Sequence, residues 1–307
     1  LSYAFKTLDG WSQFIPFSER INNCYWNGQA MISSDGNALI FASLRDDAYC
    51  NTNQRNEFYH GSQSYLSDIY VSFRNNDNWS EPLNMGPQIN TPYTERSPFL
   101  HPDMKTLYFS SDGHGGLGKL DVYKTSRIAD SCWNCWSEPI NLGKEFNTEK
   151  DDWGYIISTD GKTAYFSKEQ GKEQNEDIFK VNLPSYLRPN SVTNIEGRIL
   201  SSNNSPIAAN IRWEDLETNE IIGRANTNPE DGSYFVILPS GKQYGYYIDH
   251  PDYFPISNNI DLRNNSTNQQ LNMDIPVTSY QEMIEDSKVV PSNNIFFERG
   301  ASWSPMP

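Results

Sequence analysis

The residue types best suited to nucleophilic, redox or metal chemistry are scarce in this chain of 307 residues. No histidine lies at metal-ligand spacing from another histidine or from a cysteine, and the motifs His-Glu-x-x-His and Gly-x-Ser-x-Gly are absent. One pair, Cys132 and Cys135, forms a Cys-x-x-Cys pattern that fits a redox pair, half of a zinc site or a structural disulfide. The full set of cysteines and histidines is Cys24, Cys50, Cys132, Cys135, His60, His101, His114 and His250.

A glycine-rich run at 112–118, Asp-Gly-His-Gly-Gly-Leu-Gly, has the composition of a phosphate-binding loop. It lies between two predicted strands, so no helix N-terminus is available to hold a phosphate, and we interpret it as a strand connection. Acidic residues cluster at Glu149, Asp151 and Asp152, but no twelve-residue calcium loop is present. The sequence therefore predicts neither a cofactor nor a metal site.

The chain is strongly acidic, with 39 Asp and Glu residues against 24 Lys and Arg residues and a formal net charge of −15. Because affinity for the phosphate backbone depends on clustered Lys and Arg, nucleic acid is excluded as a predicted partner. No two carboxylates stand out as an acid–base pair for glycoside cleavage. We predict no catalytic residues and a non-enzymatic binding module, with a hydrolase acting on glycans or peptides as the alternative.

The elements that would position these residues repeat along positions 1–184. A Trp-Ser pair occurs at 11, 79 and 136, at successive offsets of 68 and 57 residues. A second marker, a turn centred on an aspartate at 35, 103 and 160, recurs at the same two offsets. Two independent markers with identical offsets indicate a structural repeat.

Each repeat unit is predicted to contain four short strands, a to d, as in the blades of a β-propeller. Units 24–91 and 92–148 are complete, 149–184 supplies strands a to c, and 1–23 supplies a late strand c and a strand d. Joining the two partial units across the ring gives three blades, fewer than the four to eight of typical propellers. We therefore predict an incomplete propeller at 1–184, with more blades expected upstream.

A different pattern follows the repeats. The proline-containing segment 185–193 is a predicted linker, and about seven short strands at 194–277 are typical of a β-sandwich. A second linker and a short strand-like run occupy 278–307. The predicted fold is all-β: a partial β-propeller of four-stranded blades followed by a β-sandwich.

The blade topology suggests how the cysteines pair. Cys24 enters strand a and Cys50 lies in the b–c loop of the same blade, and these connections emerge on one face. Cys132 and Cys135 lie in a c–d hairpin on the opposite face. Structural disulfides 24–50 and 132–135, in an oxidising compartment, are our first choice, and reduced, unpaired thiols are the alternative.

The 44–66 segment is the longest departure from the repeat and is a candidate for docking partner proteins. Aromatic residues on an exposed loop can anchor an interface, although a loop packed on its own blade is an equally simple interpretation. If 44–66 and 112–118 share one face, the docking candidates are Tyr49, Phe58, Tyr59, Tyr65 and His114.

Three segments resemble known families. The repeat, best seen at 97–113, resembles the TolB-like, WD-related propeller repeat of bacterial envelope proteins. Residues 194–277 resemble the carboxypeptidase regulatory-like, transthyretin-like domain through Gly197, the turn at 231–234, the run at 238–241 and Tyr253. Residues 289–297 are similar to the first strand of an OmpA-like peptidoglycan-binding domain, although Glu298-Arg299 stands where that family usually has Asp.

In this order, the three segments resemble the PorE-like, OmpA-family envelope proteins of the type IX secretion system. The resemblance implies a periplasmic, outer-membrane-associated protein that is a lipoprotein in its full-length form. It also implies a non-catalytic scaffold that links a secretion or envelope complex to the outer membrane and peptidoglycan. The propeller would contact envelope or secretion-system proteins, and a domain outside this chain would contact peptidoglycan.

Overall fold

The computed structural model describes residues 1–4, 6–7, 10–45, 57–59, 62–64, 66–75, 78–170, 175–265 and 267–285. Nearly all regular structure in these ranges is β-strand, which confirms the predicted all-β class. No helix among the described residues is long and apolar enough to cross a membrane. The strands form a series of antiparallel sheets at 1–182 and a sandwich at 192–277.

The N-terminal segment forms two short antiparallel pairs that precede the first large sheet. Strand β1 pairs with β4, and β2 pairs with β3. The bounds are β1 Ser2–Tyr3, β2 Lys6–Thr7, β3 Gly10–Trp11 and β4 Ile15–Pro16.

The first and second sheets have the four-strand order predicted for the repeat. The first contains β5 (Asn27–Ile32), β6 (Ala38–Ser43), β9 (Asp68–Asn75), β10 (Asn78–Trp79) and β11 (Leu83–Asn84), with β7 (Glu57–Tyr59) and β8 (Ser62–Ser64) pairing within its b–c loop. The second contains β12 (Glu95–Leu100), β13 (Thr106–Ser111), β14 (Asp121–Ser126) and β15 (Ile140–Asn141). Every predicted a, b and c strand of these units lies inside an observed strand.

The third sheet has three strands, β16 (Trp153–Ile157), β17 (Thr163–Gln170) and β18 (Asn175–Asn182). These are the predicted strands a to c. Strand d, which is present in both preceding sheets, has no counterpart here among the described residues.

The aspartate marker forms the turn between strands a and b. Gly36 and Gly161 adopt positive φ angles of 73° and 65°, a conformation that glycine reaches without a steric penalty. In the second sheet Met104 occupies this place with φ 61°. There Asp103 compensates by accepting hydrogen bonds from the backbone and hydroxyl of Thr106, at 2.8 and 2.7 Å.

The asparagine that follows each Trp-Ser element holds strand d against strand c. Asn90 accepts from the backbone N–H of Ile69 at 2.8 Å and donates to its carbonyl at 2.9 Å. Asn147 makes the same two bonds to Val122, at 2.8 and 3.0 Å. The asparagine that follows the Trp-Ser element is thus a structural residue, because its side chain satisfies the backbone N–H and carbonyl at the start of strand c.

Successive sheets stack face to face, and each junction is a separate apolar core. The core between the N-terminal segment and the first sheet contains Phe17, Ile21, Leu39, Phe41 and Tyr70. The core between the first and second sheets contains Ile40, Ile69, Val71, Leu107, Phe109 and Tyr123. The core between the second and third sheets contains Tyr108, Val122, Tyr155, Ile157 and Phe166.

Two expectations about the repeat need correction. Within the described residues the strands of 1–23 pair only with one another, so the two partial units are not joined into one sheet. The three tryptophans all follow a strand c or its equivalent, but their burial differs. Trp136 is 2% exposed because it lies inside the junction between the first and second sheets. Trp79 packs, partly buried, against the core between the N-terminal segment and the first sheet, and Trp11 is 70% exposed.

The predicted linker 185–193 is packed against the second sheet. It contains a 3₁₀ turn, Ser185–Leu187, and the beginning of the next strand. The Tyr108 hydroxyl donates to the Leu187 carbonyl at 2.6 Å, and the Lys124 ammonium donates to the Arg188 carbonyl at 2.8 Å.

The second part of the chain is a β-sandwich with one shared core. One sheet has the order β22-β19-β25, with β26 also paired to β19, and the other has the order β21-β20-β23-β24. Strands β25 and β26 pair with β19 in parallel, which the sequence analysis did not predict. The bounds are β19 Val192–Ser201, β20 Asn210–Asp215, β21 Ile221–Asn226, β22 Ser233–Pro239, β23 Gln243–His250, β24 Tyr253–Asp261, β25 Gln269–Asn272 and β26 Ile275–Val277. A short helix, α1 (Tyr280–Glu285), follows in a segment predicted as linker.

Candidate functional site

The outward face of the third sheet is an apolar surface, and no sheet formed by the described residues packs on it. Ile156, Tyr165 and Lys180 are cross-strand neighbours on β16, β17 and β18, and Ile178 lies two residues before Lys180. Ile178 is 81% exposed and Ile156 is 50% exposed. The Lys180 ammonium lies 6.0 Å from the centre of the Tyr165 ring. We call these four residues the end face.

The repeat shows what kind of surface the end face is. Its residues are the repeat equivalents of Phe99, Tyr108 and Val122 in the second sheet, which lie in or against the core shared with the third sheet. Isolated exposed apolar residues are ordinary, but residues that a repeat buries elsewhere mark a surface shaped for another sheet.

The β18 edge of the third sheet also has no partner strand in the described part of the chain. In the second sheet β14 pairs with β15, and in the first sheet β9 pairs with β10 and β11. Strand β18 pairs only with β17 among the described residues. An unpaired edge strand offers backbone donors and acceptors to a strand from another source.

A buried carboxyl group with a strongly shifted pKa, Glu95, lies at the start of the second sheet. Burial raises the pKa of Glu95 to about 8, although hydrogen bonds from Ser111 and Thr91 lower it, and the charge of Asp68 raises it further. The Thr91 backbone donates to Glu95 at 2.9 Å, and the Thr91 and Ser111 hydroxyls donate to it at 2.7 Å. A carboxyl group with such a pKa has the property expected of a general acid.

The repeat assigns Glu95 a structural role instead. The equivalent Asn27 in the first sheet accepts from the Ser43 hydroxyl at 2.7 Å, as Glu95 does from Ser111. The equivalent Asp152 in the third sheet accepts from the Thr148 backbone at 2.5 Å and from its hydroxyl at 2.9 Å. Glu95 is fully buried, and an asparagine occupies the equivalent position in the first sheet. Asn27, Glu95 and Asp152 are therefore equivalent structural residues that form hydrogen bonds at the start of strand a.

The predicted docking residues lie apart from the end face or outside the described residues. Tyr49 and Tyr65 are outside the described residues, and Phe58 and Tyr59 belong to β7 in the b–c loop. The His114 side chain packs against the second sheet. Its ring lies 5.6 Å from the Phe109 ring, and its Nε2 is 2.9 Å from the Ile89 carbonyl. The glycine-rich loop itself connects β13 to β14, as predicted.

The cysteine prediction is confirmed for one pair. Cys132 and Cys135 form a disulfide in the hairpin between β14 and β15. No cysteine among the described residues is free. Cys50 lies outside the described residues, so its pairing with Cys24 stays a prediction.

The described residues contain no group of three or more His, Cys, Asp or Glu side chains placed to hold a metal ion. The acidic run at 149–152 is partly used by the structure itself, since Asp152 binds Thr148 and the Asp151 carboxylate accepts from the Leu120 backbone at 3.3 Å.

The sequence analysis missed the end face, although the information was present in the repeat. Aligning Ile156 and Ile178 with the buried Phe99 and Val122 would have shown that the third unit repeats an inter-sheet surface. The missing fact was that no further sheet covers it in the described chain.

Comparison with known proteins gives no family. No family model matches the chain, and no curated protein matches it. Solved structures with local similarity include 3-chlorocatechol 1,2-dioxygenase from Rhodococcus opacus 1CP, with 8% identity and a TM-score of 0.25 over 30% of this chain and 61% of the other. Wild-type catechol 1,2-dioxygenase from Acinetobacter radioresistens has 9% identity and a TM-score of 0.26 over 36% of this chain and 57% of the other. The chain thus covers less than two thirds of these dioxygenases, and at such TM-scores the similarity carries no argument about function.

Proposed function

We propose that this chain is a non-catalytic scaffold of the bacterial cell envelope that holds partner proteins on its stacked sheets. The observation that carries the proposal is the end face, where Ile156 and Ile178 present to solvent a surface that the same repeat buries between the other sheets. The open edge of β18 adds backbone groups to that surface. Both features suit a partner that contributes a β-sheet or a β-strand.

The envelope location is supported by the disulfide between Cys132 and Cys135, because disulfides persist in oxidising compartments. The resemblance of the repeats, the sandwich and residues 289–297 to type IX secretion envelope proteins supports the same location. Attachment to the outer membrane and to peptidoglycan belongs to this proposal through that resemblance alone, since 289–297 lie outside the described residues.

The test replaces the end face and measures capture of partners. The variant Ile156→Asp with Ile178→Asp is compared with Ile128→Asp, which changes a 70% exposed isoleucine in the β14–β15 hairpin. Each tagged protein carries a photo-crosslinking residue at Lys180 and is incubated with envelope extract of the source cells. We expect defined crosslinked partners with the wild type and the control, and their loss with the double variant.

An unchanged set of crosslinked partners in the double variant would overturn the docking surface. A second arm replaces residues 46–64 by a short Gly-Ser link. Loss of partners in this arm alone would move the docking surface to the b–c loop, as the aromatic residues of that loop predict.

A further inference from the structure

An open cleft of about 1430 Å³ is lined mainly by the outward face of the β22-β19-β25 sheet of the sandwich, and Gly10 of the N-terminal segment also contributes to its wall. The register defines that face. Glu196 pairs with Phe235 on one side and with Asn272 on the other, so the three side chains form one row across the sheet. The neighbouring Ile195 points to the core and is fully buried, which places Glu196 and its row on the opposite side.

The row has a single aromatic ring among planar polar groups. Phe235 is 53% exposed, although large aromatic side chains are usually buried. Beside it, the Gln270 amide donates to the Glu196 carboxylate at 2.7 Å, which fixes the position of the carboxylate in the row. Asn226 and Asn228 add two further amides to the cleft wall.

The backbone that carries this row, in β19 and the β25–β26 connection, is held by close packing and hydrogen bonds. At Gly197 a side chain would collide with the Met273 carbonyl, so a glycine lets β19 and the β25–β26 connection approach closely. The Arg198 backbone donates to the Asp274 carboxylate at 2.8 Å, and the Tyr234 hydroxyl donates to the Met273 carbonyl at 2.6 Å. The cleft wall is therefore preformed, which lowers the entropic cost of binding.

This combination matches one class of ligand. A pyranose ring offers a face of C–H groups that packs on an aromatic ring, and vicinal hydroxyls that bind amide and carboxylate groups two at a time. The charged residues of the wall are Glu196, Glu230 and Asp274 against Arg198, which disfavours an anionic polymer. We propose that the cleft binds a neutral oligosaccharide, with Phe235 as the stacking platform and Glu196 as the principal hydroxyl acceptor. This site is independent of the docking role of the end face.

The experiment titrates the full chain with defined sugars and follows backbone amide shifts by NMR. The probes are the β-1,4-linked N-acetylglucosamine tetramer, cellotetraose and maltotetraose at millimolar concentration, and an acetylated, extended octapeptide serves as the polypeptide probe. We expect at least one sugar to shift the amides of 196–198 and 233–235. We expect Phe235→Ala to weaken that binding about tenfold or more, which corresponds to about 1.4 kcal/mol.

Two further variants keep the test decisive. Phe254→Ala removes an aromatic ring of similar exposure from β24, outside the cleft, and should leave the affinity unchanged. Phe235→Trp keeps a stacking surface and should retain binding, which separates stacking from any loss of folding. The proposal is overturned if no sugar shifts these amides, if Phe235→Ala binds as the wild type does, or if only the octapeptide binds.

Discussion

The second and third sheets carry the same apolar pattern but use it differently. In the second sheet, Tyr108 and Val122 are buried in the core shared with the third sheet, and in the third sheet the equivalent Tyr165 and Ile178 face outward. The residue types are similar and the strand registers correspond. The comparison teaches that the role of a repeat position is set by what stacks on it, so residue types that form a core in the second sheet form an exposed apolar surface in the third.

The largest expected effect is a loss of folding stability when a tyrosine of the second sheet is replaced, compared with the equivalent tyrosine of the third sheet. Tyr108→Ala should destabilise the chain by about 3–5 kcal/mol, because it removes a buried ring and the hydrogen bond to Leu187. Tyr165→Ala at the equivalent place should cost less than about 1 kcal/mol, since its ring packs on no further sheet. Urea unfolding followed by tryptophan fluorescence measures both, and equal losses would contradict the assignment of the end face as surface.

A second prediction concerns Glu95, the buried hydrogen-bonding residue at the start of strand a in the second sheet. Because the pKa of Glu95 is raised above its unfolded value, its contribution to stability is full below about pH 4.5 and is lost as pH rises through about 8. Glu95→Gln should therefore remove a decline of about 2–4 kcal/mol between pH 5 and 9. The exposed Glu149→Gln should keep the wild-type slope, and an unaltered slope in Glu95→Gln would show that this carboxyl is ionised in the folded chain.

A third prediction concerns strand d, which is present in the second sheet and has no counterpart in the third sheet within the described ranges. Asn147→Ala should cost about 2 kcal/mol, because it leaves the backbone N–H and carbonyl of Val122 without their partner. The exposed Asn182→Ala at the end of β18 should be nearly neutral. Hydrogen exchange should show faster opening at 121–123 in the Asn147→Ala variant. Wild-type protection there would contradict the structural role of Asn147.

The smallest effect is expected at the disulfide. The bond between Cys132 and Cys135 closes a very short loop, so Cys132→Ser with Cys135→Ser should cost at most about 1.8 kcal/mol by the chain-entropy argument. The local hairpin should loosen while the stacked cores remain. Thermal unfolding with and without reductant measures this, and a collapse of the whole stack on reduction would contradict it.

Much of the fold could be predicted from the sequence because local and repeated patterns carry it. The Asp-centred turns and alternating strands gave the a, b and c strands to within a few residues, since turn chemistry and side-chain alternation are local. The parallel pairing of β19 with β25 and β26 was not predictable, because it joins segments about 75 residues apart. The end face and the sandwich cleft exist because no other sheet packs on those faces in the described chain. This absence of packing is a tertiary property that a local residue pattern does not reveal.

The packed linker has a mechanical consequence. The Leu187 and Arg188 carbonyls are held by Tyr108 and Lys124, and the Asn190 backbone donates to Asp103 at 2.9 Å. Farther along, Lys242 of the sandwich lies 3.7 Å from Asp130 in the β14–β15 hairpin. A pull applied to the sandwich is therefore shared between the middle sheet of the stack and the third sheet, because Asn268 of the sandwich also donates to the Asp160 carbonyl in the a–b turn of the third sheet.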